Sequence, residues 1–223
     1  MENKKNIHSV INGVIKHPVT GSTDTITDTY KIIEDSLKQM YEQIIHTDPY
    51  FNYTINDHTF TVFISEPKKA LKAVVYIGAY LAKSKNKIPS RSKVRMGIGL
   101  GKAKIPNKFF TKKEGLAFDY AEEVLNSMKK HELIRVKSPW PDVNEEFDVG
   151  CTFAETLMKK WTVAQAEVVL ERIKGKNQTE IGRKLQISQP AVAKHLMASH
   201  WEPVEKFLIR FYKVIYQKLK NKS

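Results

Sequence analysis

The chain has one cysteine in 223 residues, Cys151. A single thiol excludes an internal disulfide framework and fits a reducing compartment. Long apolar runs are missing as well. The longest uncharged, mostly apolar stretch is Ala73 to Ala82, whereas a bilayer-spanning helix needs about twenty such residues. Met1 to Ile7 carries Lys4 and Lys5 with no apolar core or cleavage site behind them, so no secretory signal is read and a cytoplasmic protein without a membrane partner is expected. With only 9 prolines and 10 glycines, collagen-like and low-complexity classes are excluded. The 7 histidines are scattered without metal-ligand spacing, and no nucleophile-elbow motif occurs, so no metal, cofactor or hydrolytic triad is expected.

Acid is also scarce. There are 24 Asp+Glu against 37 Lys+Arg, a net charge of +13, which points to a polyanionic partner. Residues 151–223 hold 14 basic and 6 acidic residues, and residues 1–150 hold 23 and 18. The second segment therefore carries more of the excess in half the length. Between Lys83 and Lys113 there are 11 basic residues and no acid, a run that reads either as a solvated loop or as a phosphate-facing patch.

Periodicity divides the chain. Ile7–Lys16 is β-branched and reads as a strand, and apolar residues at spacings of three and four predict a helix from Asp28 to His46. Two β-rich runs around Asn56-Asp57 predict a hairpin, and Pro67 opens a helix to about Ser84. Lys93–Lys102 reads as a strand with one face stripped by Gly97, Gly99 and Gly101, which implies close packing or close ligand approach. A helix over Glu114–Lys130 and a strand over Leu133–Lys137 follow. The expected fold class is α+β: an antiparallel sheet with helices on one face, ferredoxin-like or cyclase-like, followed by an all-α part. Residues 1–138 form the first domain, 139–150 (Pro-Trp-Pro and an acidic stretch) a linker, and 151–223 the second domain.

The most informative segment runs from Trp161 to Leu196. Thr162 with Gln165, and Asn177 with Glu180, have the spacing of capping boxes, and Ser188 caps a further helix with Pro190 in its first turn. Ile181, Leu185, Ile187, Val192 and Leu196 are the apolar set two short crossing helices must interlock, with Gly182 allowing their approach. Burying that set turns Ser188, Gln189, Pro190, Ala191, Ala193, Lys194 and His195 outward, beside Gln178, Thr179, Arg183 and Lys184. A helix that reads the major groove presents its N-terminal residues in this way: Gln189 suits an adenine edge, and Lys194 a guanine edge or a phosphate.

The segment NQTEIGRKLQISQPAVAKHL (177–196) resembles the helix-turn-helix of bacterial transcription regulators and sigma-factor-like DNA-binding tails. It departs from them at Gln186, where a glycine often makes the turn. The resemblance implies duplex DNA as partner. The apolar stripe of the final helix, Trp201 to Lys220, is expected to pack on the preceding bundle or to form a homodimer contact.

More weakly, Arg95-Met-Gly97-Ile-Gly99-Leu-Gly101 followed by Gly115-Leu-Ala-Phe-Asp-Tyr-Ala121 is similar to the SatD family, and the element order to the palm of class III nucleotide cyclases. The resemblance implies metal-binding carboxylates, and these are damaged: Asn12-Gly13 stands where an aspartate is expected, and the hairpin keeps Asp57 but has His58 in place of glutamate. No cyclase chemistry is expected. What is left is an expected contact to a phosphate or nucleotide, a small anionic effector, through Asp57, Arg95, Gly97, Gly99, Gly101, Lys102 and Lys104. The leading expectation is a DNA-binding transcriptional regulator with a catalytically degenerate sensor or oligomerisation domain. The alternative is a nucleotide-binding sensor or nucleotide-handling enzyme recruited through its C-terminal bundle.

Overall fold

The computed structural model describes residues 7–16, 23–56, 58–89, 92–107, 110 and 112–220. Strand β1 (Ile7–Lys16) leads to α1 (Thr23–Met40), which continues as a π-helical turn through Ile45, and then to the hairpin β2 (Asn52–Asn56) and β3 (Thr59–Ile64). A 3-10 turn from Pro67 enters α2 (Ala70–Lys83), followed by β4 (Lys93–Lys102), α3 (Leu116–Ser127) and β5 (Ile134–Lys137). Five helices complete the chain: α4 (Pro141–Met158), α5 (Val163–Ile173), α6 (Gln178–Leu185), α7 (Gln189–Ala198) and α8 (Trp201–Lys220). The protein is thus mixed α/β, with one five-stranded sheet and eight α-helices among the described residues.

The strand order is β2-β3-β1-β4-β5. The first four strands pair antiparallel, with Val10 opposite Phe63 on one side and Gly99 on the other. The fifth departs from the sequence expectation, because β5 runs parallel to β4. A parallel neighbour needs a crossover connection. α3 is that crossover, and it lies on the sheet face opposite α1 and α2. The sheet therefore carries helices on both faces, not one. Alternation along the strands separates the two layers. Ile11, Ile15, Phe60, Val62, Met96 and Ile98 share a cluster with α1 and α2, whereas Val10 and Phe63 pack with Ala117, Phe118 and Ala121 of α3.

The glycines of β4 are explained by α3. A Cβ on Gly99 would lie 2.1 Å from the Ala117 carbonyl oxygen, and one on Gly97 2.8 Å from that of Ala121. Helix backbone fills the stripped face, with alanines on the helix side completing the close approach.

Residues 139–150, expected to be a linker, are instead mostly helix. Pro141 occupies the first turn of α4, where its missing N–H is not needed, and Asn144 Oδ1 accepts from the Ser138 backbone N–H at 2.8 Å. The acidic residues conceal a buried stripe, Val143, Phe147 and Cys151, at the four-residue spacing of a helix face. α4 is fastened to β5 by charge. The Glu155 carboxylate accepts from the Leu133 and Ile134 backbone N–H groups at 2.6 and 3.3 Å and pairs with Arg135 at 3.4 Å. Cys151 sits in the same layer, where burial pushes its thiol up to about 12, so it stays protonated and unreactive.

Helix α2 joins both parts of the chain. Ala70, Leu71, Ala73, Val74, Val75, Tyr76, Ile77 and Ala79 are all buried, with the sheet and α1 on one side and α5 and α8 on the other. One apolar cluster runs without interruption from Ile11 to Ile215. No helix among the described residues is long and apolar enough to cross a membrane.

Gly99→Ala is expected to lower stability by about 2–3 kcal/mol, because the added methyl meets backbone that cannot rotate away. The urea-unfolding midpoint measures it, and an unchanged midpoint would contradict this packing.

Candidate nucleic-acid interface

Helices α5, α6 and α7 form a small layer over their own apolar centre. Val168, Ile181 and Val192 are buried together, with Leu185, Ile187 and Leu196 packed around them. The helix starts are capped as the spacing predicts. Thr162 Oγ1 accepts from the Gln165 N–H at 3.3 Å, while Gln165 Oε1 accepts from the Thr162 N–H at 3.0 Å. Asn177 and Glu180 make the same exchange at 3.0 and 2.7 Å, and Ser188 Oγ accepts from Ala191 at 3.3 Å. Each satisfies donors that the first helical turn leaves open.

The turn between α6 and α7 resolves the departure at Gln186. This residue adopts φ 56°, ψ 41°, the left-handed conformation that glycine enters most easily. The Ile187 N–H then reaches the Gly182 carbonyl at 3.0 Å. Gly182 has no room for a side chain: a Cβ there would lie 2.8 Å from the Ile187 carbonyl oxygen.

On the outer side, Ser188, Gln189, Pro190 and Lys194 are exposed, and Ala191, Ala193 and His195 are half-buried. From α6, Thr179, Arg183 and Lys184 are exposed and Gln178 is half-buried. Gln189 is held in place, its amide Nε2 donating to Gln178 Oε1 at 3.0 Å. Lys184 is less available than the sequence suggests, since Glu171 takes it at 2.9 Å, together with Lys174 at 2.9 Å and Lys176 at 2.6 Å. Burial raises the Glu171 pKa, but hydrogen bonds from Lys176, Lys184 and Lys174 outweigh that and hold it down to about 2. Sequence reasoning missed Met197, which is 74% exposed. Its position three residues after Lys194 puts it on the same helix face, and that spacing was the available signal.

The N-terminal candidates do not converge on a cradle. Gly97, Gly99 and Gly101 lie beneath α3. Arg95 is buried, and its guanidinium donates to the Leu125 and Met128 carbonyls at the end of α3. Lys104 pairs with Glu114 at 2.5 Å, and Lys102 is exposed at the end of β4. Asn12, where an aspartate was expected, accepts from the Thr61 hydroxyl at 2.9 Å. Asp57 lies outside the described residues.

No protein-family model matches the chain, and no curated protein sequence matches it.

Two outcomes follow from the turn and from the carboxylate hub. Gln186→Gly is expected to raise stability by about 1 kcal/mol by relieving the left-handed conformation, read as a higher urea midpoint. The Glu171 pKa is lower when folded than the ordinary 4.5. Its stabilisation is therefore complete above that pH and lost as pH falls toward 2, and Glu171→Gln should flatten that limb of the stability–pH curve.

Proposed function

We propose that the chain is a sequence-specific duplex-DNA-binding protein, a transcriptional regulator in which α6 and α7 form a helix-turn-helix and α7 enters the major groove. One observation carries this reading: the flank of α7 bearing Ser188, Gln189, Pro190 and Lys194 is open to solvent, with no other part of the described chain sealing it. Gln189, oriented by Gln178, keeps a carbonyl oxygen and one amide hydrogen for a base edge, the pairing an adenine requires. Lys194 and Arg183 supply positive charge on either side for phosphates.

The finer fold reading belongs with this proposal. The antiparallel order β2-β3-β1-β4 with α1 and α2 on one face supports a ferredoxin-like, cyclase-like palm. With Asn12 bonded to Thr61 and the glycine face occupied by helix, the palm is read as a non-catalytic sensor or oligomerisation platform. Two copies reading two half-sites would gain affinity by avidity.

The test is selection of bound duplexes from a random pool with the full chain, followed by titration of the selected site. Affinity should fall steeply with salt. Gln189→Ala should weaken the selected site about 5- to 150-fold, the equivalent of ~1–3 kcal/mol, and relax preference at one position. Lys194→Ala should weaken all duplexes alike and lower the salt slope by about one if it contacts phosphate. Absence of duplex binding at moderate salt would overturn the proposal.

A further inference from the structure

A cleft of about 520 Å³ opens where the end of α2, the starts of β4 and β5 and the end of α4 meet. That is within the range of ligand sites, about 300–1,000 Å³. Its floor is apolar: Leu81, Met96, Ile134, Met158 and Trp161 line it, and all but Leu81 are buried. Its charged lining has one sign, for no aspartate or glutamate lines it among the described residues. Lys159 is engaged by the His131 carbonyl at 2.6 Å and by Glu155 at 3.3 Å. Among the described residues, the positive charge left for a ligand is therefore that of Lys85 and Lys93, both exposed. An apolar floor with uncompensated ammonium groups at the edge is complementary to an apolar body carrying one negative head.

The cleft also reaches the DNA-reading layer. Trp161 lines the cleft, while its indole N–H donates to the Ser199 carbonyl at 2.8 Å. Ser199 is the C-cap of α7. A molecule seated against Trp161 thus presses on a side chain that holds the end of the helix carrying Gln189 and Lys194. No other tryptophan lines the cleft.

We propose that this cleft binds an amphiphilic organic anion, an aliphatic or aromatic body bearing a single carboxylate, and that its occupancy changes duplex affinity through the Trp161–Ser199 bond. The binding half stands on the cleft alone, and the regulatory half rests on the DNA-binding reading.

The test titrates the full chain with decanoate below its micellar concentration, with decanol and acetate in parallel arms, and reads melting temperature and tryptophan fluorescence. Decanoate should bind saturably and raise the melting temperature. Acetate, which lacks the apolar body, should do neither, and decanol should bind about tenfold more weakly. Lys85→Ala/Lys93→Ala, on exposed positions, should remove the preference for decanoate over decanol, and Ala82→Phe should block both by filling the cleft. No saturable decanoate binding, or undiminished preference in the double-lysine variant, overturns the site. Duplex affinity is then measured with and without decanoate. A threefold or larger change, lost in Trp161→Phe while the decanoate thermal shift persists, supports coupling. An unchanged affinity in a chain that binds both ligands overturns the coupling alone. A chain that binds decanoate and no duplex removes the regulatory half together with the DNA-binding reading, and leaves the site.

Discussion

The structure depends on the burial of α2 between two layers. Ten consecutive uncharged residues, Ala73 to Ala82, are too few for a bilayer and too apolar for a surface. Most of them must be enclosed by protein, and a helix apolar on most of its circumference is enclosed only when two layers close on it. The sheet and α1 supply one layer, and α5 and α8 the other. Met158 fits this arrangement closely, its methyl lying where a side chain on Gly78 would stand. The helix that begins at residue 141, the cleft at its end and the seating of α7 all follow from that enclosure.

Much of this was legible in the sequence, and the reason is local. Strand β1, the hairpin, α2 and β4 are marked by β-branched runs, turn residues and a proline start, all short-range signals. The caps at Thr162, Asn177 and Ser188 were legible for the same cause, because a capping pair is specified within four residues. What the sequence left ambiguous was long-range. Acidic residues at 142, 145, 146 and 148 mask Val143, Phe147 and Cys151, so a helix docked on one face looked like a linker. The glycines of β4 were compatible with a ligand or a helix, and only the crossover of α3 decides for the helix. The parallel pairing of β5 likewise depends on where α3 lies.

Charge has a similar division. The excess of basic residues in 151–223 is plain in the sequence, but its allocation is not. Glu171 is buried and draws Lys174, Lys176 and Lys184 toward it, so part of the positive charge serves to fasten α5 to α6. A buried carboxylate with three ammonium partners is strongly destabilising only when one side is removed. Arg183 and Lys194 are outside this cluster. The same holds for Arg135, whose contacts to Glu132, Asp148 and Glu155 use its charge to tie β5 to α4.

The uninterrupted core has a consequence for how this chain can be divided. A cut after Gly150 would fall in the middle of α4 and strip the cover from Val169, Leu170 and Ile173 of α5, which pack into the same cluster as α2. Neither fragment could hide its exposed half, and each would be prone to self-association. The layer formed by α5, α6 and α7 is therefore not a detachable cassette: a recombination joint or an engineered fusion at this point would leave apolar surface open on both pieces, and the chain behaves as one unit.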